Sequence, residues 1–441
     1  MYIFFLFLFF PIFVVGLSIQ ELINSAPPNS TIYIPPGYYK ERVVINKPLK
    51  IIGVGWPVID GGGVGDVILI NSTWVELNGV IVTNSGTLPE EAGIKIYKSW
   101  VILRNIVINF SYNGVYMIMS RGLMDNVTVI GLGLWKKNVE QFGQLYHEGG
   151  YHVAGFEDRG HSFYIFNSSV IIQNSVGLYS KDGAYLEHSY DVVIKNSRFL
   201  NGRYGTHLMY SRRVEIINNT YMYNLVGILL MYSQNLHVFR NRILHNRGIY
   251  VSEGITLIEC DNVLIERNVA AFHIYGINVR YTPWRVDSYF YVRNNTFAFN
   301  YYGAVFDIYS SGNFTDNTFL DNMIQLGATG TTRRVNVKFF GNYWSDYSGD
   351  GKLPYVYVSP LSDLSELRLA LRFFAFGPST VVVQYMKLDL PIYARLEFID
   401  PAPRRLENMA SNVTFSYVFA MIGIVLLMPL AVMWLWTRRW R

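Results

Sequence analysis

The amino-acid sequence predicts an all-β protein built around a right-handed parallel β-helix, a rod of stacked coils of short strands. Three observations predict this fold. A phrase that begins with glycine and alternates apolar residues recurs at steps of 22 or 27 residues. Apolar residues that alternate over four to six positions are typical of strands. No helical periodicity separates the copies, so each unit must bury its apolar face by stacking on its neighbours.

The N-terminus begins with an uncharged apolar stretch at residues 2–17. This length suits the hydrophobic core of an export signal better than a membrane span of about 20 residues. We therefore predict a signal peptide over residues 1–18. The pattern departs from the usual one in that the first basic residue, Lys40, comes after the apolar stretch.

The repeat predicts a β-helix over residues 19–345, with about 13 coils spaced by about 4.8 Å. Between the glycine-led phrases lies a second phrase that ends in Asn, such as VEIINNTY from Val214. Asn at one repeated position predicts an internal ladder of stacked side-chain amides. Neither a β-propeller nor a leucine-rich horseshoe fits this period and composition. The six most regular glycine-led phrases begin at Gly183, Gly205, Gly227, Gly254, Gly276 and Gly303.

Residues 131–163 interrupt the repeat and predict a long loop, and long loops are often functional. Its charged residues and histidines could bind a metal or supply acid–base pairs for glycan cleavage. The alternative is a polar loop with ordinary surface histidines. The residues concerned are His147, Glu148, His152, Glu157, Asp158 and His161.

After the repeat ends, residues 346–410 are predicted to form a C-terminal cap and linker. Residues 415–436 are uncharged and are followed by three arginines. This pattern predicts a single transmembrane helix over residues 413–437, with a cytoplasmic tail. Together with the export signal, it places the body on the extracytoplasmic side of the cytoplasmic membrane.

The composition excludes several classes of protein. Hydrophobic residues make up 51% of the chain and charged residues 16%, which excludes intrinsic disorder. Cys260 is the only cysteine, so disulfide scaffolds and cysteine-based metal centres are excluded as well. The net charge is +5, but the basic residues form no cluster along the sequence, so we expect no nucleic-acid partner.

The register of the glycine-led phrases predicts which side chains face outward. Positions one and three after the glycine face the core, and positions two and four point away from it. His207 and Met209 then share the outer side of one strand, and Met231 lies one coil above Met209. An imidazole with two thioethers on an open face is a soft ligand set that favours Cu(I). The alternative is an apolar stripe that serves as a docking face or lies under the long loop.

Met117 and Met119 lie three and five positions after Gly114, which begins an earlier copy of the phrase. Odd positions after the glycine face the core. We therefore predict both methionines to be core residues.

Four phrases, taken in order, resemble the NosD family of exported β-helix accessory proteins. They are KDGAYLEHS from Lys181, THLMYSRRVEIINN from Thr206, GILLMYS from Gly227 and GNYWSDYSGD from Gly341. The resemblance covers roughly residues 19–405. It implies a non-enzymatic role, as a scaffold or a copper relay, in helping copper or sulfur reach the copper centre of nitrous oxide reductase, with an ABC transporter (permease and ATPase) and a copper chaperone as further partners.

The MYS phrases belong to the resemblance, which therefore favours transient Cu(I) binding at His207, Met209 and Met231, the set that the spacing of the repeat predicts. It names no catalytic residue. We predict partner contacts at Glu187, Leu229, Trp344, Asp346 and Tyr347. Two departures from the family pattern are the short SGDGKL run after Tyr347 and the C-terminal membrane helix, which bacterial members do not usually have. The rival interpretation is a cell-surface polysaccharide lyase or hydrolase, or a glycan-binding or adhesive β-helix. The absence of stacked carboxylates in the repeat disfavours an enzyme.

Overall fold

A computed structural model shows the parallel β-helix that the sequence predicts. It describes residues 18–134, 144–147, 150–153, 159–246, 251–329, 335–359 and 396–404. The predicted signal peptide apart from Ser18, the predicted transmembrane helix at 413–437 and most of the predicted cap and linker lie outside these residues. Within the described ranges, no helix has the length and apolar character needed to cross a membrane.

The coil has three strand-bearing faces, and the first face contains the glycine-led phrases. Its strands pair in parallel with the equivalent strands of the coils before and after. Among the described residues this face comprises twelve strands, in keeping with the expected coil number: Val43–Ile45, Ile68–Ile70, Ala92–Tyr97, Asn113–Ile118, Phe163–Phe166, Asp182–Glu187, Tyr204–Met209, Val226–Met231, Glu253–Ile258, Tyr275–Arg280, Tyr302–Asp307 and Ile324–Thr329.

The second and third faces are joined in three coils by strands of ten residues that run along both. The second face comprises Thr31–Ile34, Leu49–Gly53, Trp74–Thr83, Trp100–Asn109, Arg121–Ile130, Ser169–Gln173, Tyr190–Lys195, Arg212–Ile217, Gln234–Phe239, Asp261–Glu266, Phe290–Arg293, Ser311–Thr315 and Asn336–Phe340. The third face adds Tyr38–Lys40, Val58–Asp60, Val176–Leu178, Arg198–Leu200, Thr220–Met222, Arg242–Leu244, Val269–Ala271, Thr296–Ala298, Thr318–Leu320 and Tyr343–Trp344.

The apolar core fills the inside of the coil, as the alternation predicts. Ile228 and Leu230, at positions one and three after Gly227, are fully buried. The glycine itself is required because adjacent coils approach closely there. A Cβ atom on Gly205 would lie 2.5 Å from the carbonyl oxygen of Gly227, which no side chain can tolerate. The repeated glycine therefore sets the spacing of the first face.

An internal ladder of asparagine amides is also confirmed. Each side chain donates from Nδ2 to Oδ1 of the next, over distances of 2.9 to 3.1 Å. Each Oδ1 also accepts the backbone N–H of the preceding rung, so buried turns are fully paired. The rungs are Asn219, Asn241, Asn268, Asn295, Asn317 and Asn342. The last amide donates to the carboxylate of Asp400, 2.9 Å away.

Both ends of the rod are covered by other elements. At the N-terminal end, the helix Ile19–Ser25 begins after the N-cap Ser18 and buries Ile19 and Ile23. At the C-terminal end, Tyr355–Ser359 pairs antiparallel with Leu396–Asp400. These elements close the apolar core, since a bare terminal coil would expose it to water.

The predicted loop at 131–163 is described in part. It contains a 3₁₀ turn at Leu132–Leu134 and an antiparallel pair, Gln144–His147 with Gly150–Val153. Among the charged residues and histidines predicted as a possible site, only the side chain of His161 is described. Glu148, Glu157, Asp158 and the side chains of His147 and His152 lie outside the described part.

Candidate functional site

The predicted register of the two methionines is present on the first face. The strands Tyr204–Met209 and Val226–Met231 pair in parallel, with Met209 opposite Met231 and His207 opposite Leu229. Directly opposed residues of neighbouring strands lie about 5 Å apart. The two thioether side chains therefore stack on one side of the sheet, with His207 two residues away on the same side.

The expectation that this face is open is wrong at His207 and Leu229, which are 7% and 5% exposed. A second apolar cluster lies outside the coil, separate from the main core, and it buries Leu229. Met231 packs against this cluster, while Met209 and Met231 both remain half-buried. This part of the face is covered by large apolar side chains at the starts of the strands and in the turns before them. They are Tyr204, Leu225, Val226 and Val251.

The imidazole of His207 is held on one side and unpaired on the other. Its Nδ1 lies 3.2 Å from Oδ2 of Asp182, and the ring of Tyr204 packs edge-on at 5.0 Å. Its Nε2 is buried and has no hydrogen-bond partner among the described residues. Burial lowers the pKa of His207, so the ring is neutral at pH 7. A carboxylate on Nδ1 fixes the tautomer in which Nε2 has a free lone pair, the arrangement found behind metal-binding histidines.

Asp182 is the centre of a buried charged cluster that the sequence did not reveal. Arg203 donates to its two carboxylate oxygens from Nε and Nη2, at 2.9 and 2.8 Å. Burial opposes ionisation of Asp182, but the Arg203 guanidinium and the imidazoles of His161 and His207 outweigh it. They hold the pKa of Asp182 well below its usual range. The ion pair leaves the cluster without net charge, so nothing forces a proton onto His207.

His161 brings the long loop to this cluster. Its Nδ1 is buried and faces the Asp182 carboxylate, 3.4 Å from Oδ2. Its ring stacks on Tyr185 at 4.8 Å. The phenol of Tyr185 donates to the sulfur of Met209 at 3.4 Å. One chain of contacts therefore runs from the loop through Tyr185 to the methionine pair.

This arrangement suits a soft cation better than a hard one. Cu(I) prefers thioether and imidazole ligands, which Met209, Met231 and His207 supply. Within the described residues, no group of three or more His, Cys, Asp and Glu side chains is placed to hold a metal ion. The carboxylate of Asp182 is occupied by Arg203. The thioethers and Nε2 are thus the groups still able to act as ligands.

The residues predicted to contact partners are divided between the site and the cap. Glu187 is half-buried and accepts a hydrogen bond from the phenol of Tyr164. Trp344 is only 1% exposed because it stacks between Phe319 and Tyr355, so neither it nor Leu229 has much surface for a partner.

Asp346 and Tyr347, the other two residues of this set, take part in contacts within the cap. The Asp346 carboxylate accepts from the Tyr355 phenol at 3.0 Å. The Tyr347 phenol donates to the carbonyl of Leu353 at 2.6 Å. The partner contacts of all five residues stay predictions.

Comparison with known families bears directly on this face. Residues 145–349 match the sequence model of the family described as periplasmic copper-binding protein (NosD). The resemblance to the NosD family is confirmed. The matched segment contains His207, Met209 and Met231 together with Asp182, Arg203 and His161. A comparison with curated proteins found no match.

Solved structures with a similar fold include proteins of several kinds. The periplasmic alginate epimerase AlgG is 13% identical, with 74% of this chain and 77% of that chain covered and a TM-score of 0.43. The A-module of the Azotobacter vinelandii mannuronan C-5 epimerase AlgE6 is 12% identical, with 73% and 92% covered and a TM-score of 0.43. PfbA, a surface adhesin of Streptococcus pneumoniae, is 14% identical, with 74% and 86% covered and a TM-score of 0.39. These similarities are too distant to support any statement about activity.

Proposed function

We propose that this protein is an exported, membrane-anchored accessory protein that assists assembly of the copper centre of nitrous oxide reductase. In this proposal Cu(I) is cargo that binds transiently to His207, Met209 and Met231. The body lies on the extracytoplasmic side of the cytoplasmic membrane. It works there with an ABC transporter, a copper chaperone and the reductase.

The observation that supports this proposal most is the buried, unpaired Nε2 of His207, on the same side of the sheet as the register partners Met209 and Met231. A buried nitrogen without a partner costs about 1–3 kcal/mol, and native structures rarely keep one without a reason. A ligand that binds this nitrogen would recover that cost. The match of this segment to a family of periplasmic copper-binding proteins supports copper as the ligand.

The exposure of the ligands supports transient rather than permanent binding. The thioethers of Met209 and Met231 are half-buried, so a donor protein can reach them from solvent. His207 is fixed behind them by Asp182, which makes the imidazole a rigid anchor. Thioether ligands hold Cu(I) without any proton release, so the ion can pass to a stronger site without acid–base chemistry.

The proposal is tested in a cell that makes nitrous oxide reductase but lacks its own NosD-like protein. Complementation with the intact gene should restore copper in the purified reductase, measured by mass spectrometry. Met209→Leu/Met231→Leu should not restore it. Met222→Leu is the matched control, because Met222 is also half-buried but lies on the third face. Equal copper loading with the double variant and with the intact gene would contradict the proposal.

The second candidate function is a polysaccharide lyase or hydrolase on the first face, where tyrosines, His161 and Asp182 lie together. Glycan hydrolysis needs one carboxyl group that can give up a proton. Here the Asp182 carboxylate is buried and ionised against Arg203, which makes it a poor proton donor. Release of unsaturated or reducing sugar from an acidic glycan, lost in His161→Ala, would favour this candidate over the copper role.

A further inference from the structure

A polar cavity of about 200 Å³ lies on the second face, close to the C-terminal end of the rod. It is formed by three neighbouring strands: Phe290–Arg293, Ser311–Thr315 and Asn336–Phe340. The segment that contains Pro283 and Ser288 adds a further side. None of the copper-site residues lines it.

The cavity follows from side-chain length along one row of the sheet. Tyr291, Asn313 and Lys338 are register partners in adjacent strands, about 4.8 Å apart. The buried neighbours Val292 and Phe314 point inward, so this row points outward. A short side chain, that of Asn313, lies between two long ones, and Ser311 beside Asn336 forms the next pair along these strands. The hollow is therefore built into the strand order and needs no loop movement.

One side of the cavity is aromatic. Tyr289 and Tyr291 stack with their ring centres 5.3 Å apart, and each is 44% exposed. Trp284, in the adjoining segment after Pro283, is also largely exposed. A stacked pair leaves one outer face on each ring, which offers a flat apolar surface to a ligand.

The other side of the cavity carries polar groups that the protein does not use. In the described chain, the side-chain amides of Asn313 and Asn336 and the ammonium of Lys338 make no hydrogen bond or ion pair. Lys338 is the one charged residue that lines the cavity. A ligand here finds amide donors and acceptors together with one uncompensated positive charge.

We propose that this cavity binds one sugar ring of an acidic polysaccharide, at a site separate from the copper site. A pyranose has apolar C–H faces that pack on tyrosine, and its hydroxyls fit the amides of Asn313 and Asn336. A carboxylate on the ring forms a charge-assisted hydrogen bond with Lys338. The volume is smaller than the range of about 300–1,000 Å³ for drug-sized ligands, which limits the occupant to a single ring. The site would tether the extracytoplasmic body to anionic surface glycan.

The proposal is tested by calorimetry on the purified full-length protein. The probes are uronic-acid trisaccharides of gluco, manno and galacto configuration, each with its neutral counterpart. We expect at least one acidic trisaccharide to bind, and its neutral counterpart to bind about ten-fold more weakly. Lys338→Gln should remove that difference, and Tyr291→Ala should abolish binding. Tyr33→Ala, an exposed tyrosine on the same face near the other end, should have no effect.

Three outcomes would overturn the proposal. They are failure of every acidic trisaccharide to bind, equal binding of the acidic and neutral forms, and unchanged binding in Lys338→Gln and Tyr291→Ala. Circular dichroism of each variant checks that it is folded. His207→Ala should bind the sugar like the intact protein, so failure of the copper proposal leaves this one standing, and the reverse holds as well.

Discussion

Two sets of buried polar groups occur in the same coils, the asparagine ladder inside the rod and the Asp182 cluster outside the first face. In the ladder every amide is paired: Asn268 donates to Asn295 and Val238 and accepts from Asn241. In the cluster the charges are paired, but Nε2 of His207 has no hydrogen-bond partner among the described residues. Burial alone thus does not distinguish the two sets, whereas the unpaired Nε2 of His207 beside a fixed Nδ1 does.

The ladder has a purely architectural explanation, since each rung satisfies the turn of the coil before it. The cluster has more parts than stability requires, because Arg203 alone neutralises Asp182. Two neutral imidazoles on the same carboxylate add no charge compensation. The free Nε2 of His207 is accounted for if it awaits a ligand.

The largest expected effect is that of Asp182→Asn on stability. The substitution leaves the largely buried guanidinium of Arg203 without its counter-ion, and breaking a buried pair in this way costs about 3–5 kcal/mol. We expect a clear fall in the urea midpoint of unfolding, followed by circular dichroism. Asp191→Asn is the matched control, because Asp191 pairs with Arg213 on the exposed surface, where screening by solvent removes most of the effect. Equal midpoints for both variants would show that the Asp182 pair is not a structural centre.

The next effect is that of Asn268→Ala inside the ladder. It leaves the carbonyl of Val238 and the backbone N–H of Asn241 without partners, and the Asn241 side-chain amide keeps only its bond to the carbonyl of Ile216, at a cost of about 2–3 kcal/mol. Copper binding should be unchanged, since the ladder contains no ligand. Asn313→Ala is the control, because that amide makes no hydrogen bond within the described chain. A loss of copper binding in Asn268→Ala, at a temperature where the variant is folded, would contradict a purely structural role for the ladder.

A third prediction concerns pH and His273, which replaces asparagine in a second ladder, between Asn246 and Asn300. Burial lowers the pKa of His273 to about 3. Below about pH 6.5 the unfolded chain takes up a proton that the folded chain refuses, so stability falls as the pH falls towards 3. From pH 6.5 to pH 5 this single residue should cost about 2 kcal/mol.

His273→Asn restores the ladder and removes that loss. Urea midpoints measured at pH 7 and pH 5 should therefore differ less in this variant than in the intact protein. The pKa values of His161 and His207 are lowered by burial too, so part of the acid sensitivity remains. An unchanged pH dependence in His273→Asn would contradict the neutral, paired state assigned to His273.

The sequence predicted those features that depend on the repeat and missed those that depend on contacts between repeats and the loop. The recurring glycine and asparagine phrases fix the register, so the ladder and the pairing of Met209 with Met231 followed directly. Asp182 was missed because it precedes the glycine from which the positions were counted. One signal was available. The residue before the repeated glycine is apolar or aromatic in most coils, such as Tyr204 and Val226, but it is acidic at Asp182 and Glu253.

The alternation of inward and outward side chains, counted from the repeated glycine, failed where a strand ends. Met117 is buried as predicted, but Met119 is exposed, so the prediction of a core position there is wrong. The strand ends at Ile118 and the backbone of Met119 turns to a φ of 46°, which rotates its side chain away from the core. Alternation holds only while the backbone is extended.

The smallest expected effect is that of Cys260→Ser. Cys260 occupies a column otherwise formed by Ser and Thr hydroxyls, such as Ser211, Ser233 and Thr282, which bond to the turns of adjacent coils. Serine fits this column, so stability should change by less than about 1 kcal/mol. Burial raises the pKa of the Cys260 thiol to about 12, so iodoacetamide should not modify the native protein. Rapid modification seen by mass spectrometry would mean that the Cys260 thiol becomes accessible to solvent in the native protein.

The proposed copper site is tested most directly by an anaerobic Cu(I) titration of the full-length protein against a competing chromophoric chelator. We predict one Cu(I) per chain, and binding at least about a hundred-fold weaker in His207→Ala and in Met209→Leu/Met231→Leu, since each variant removes ligands. Met222→Leu should bind like the intact protein. Absence of binding by the intact protein, or equal affinity in all four proteins, would contradict a copper site on this face.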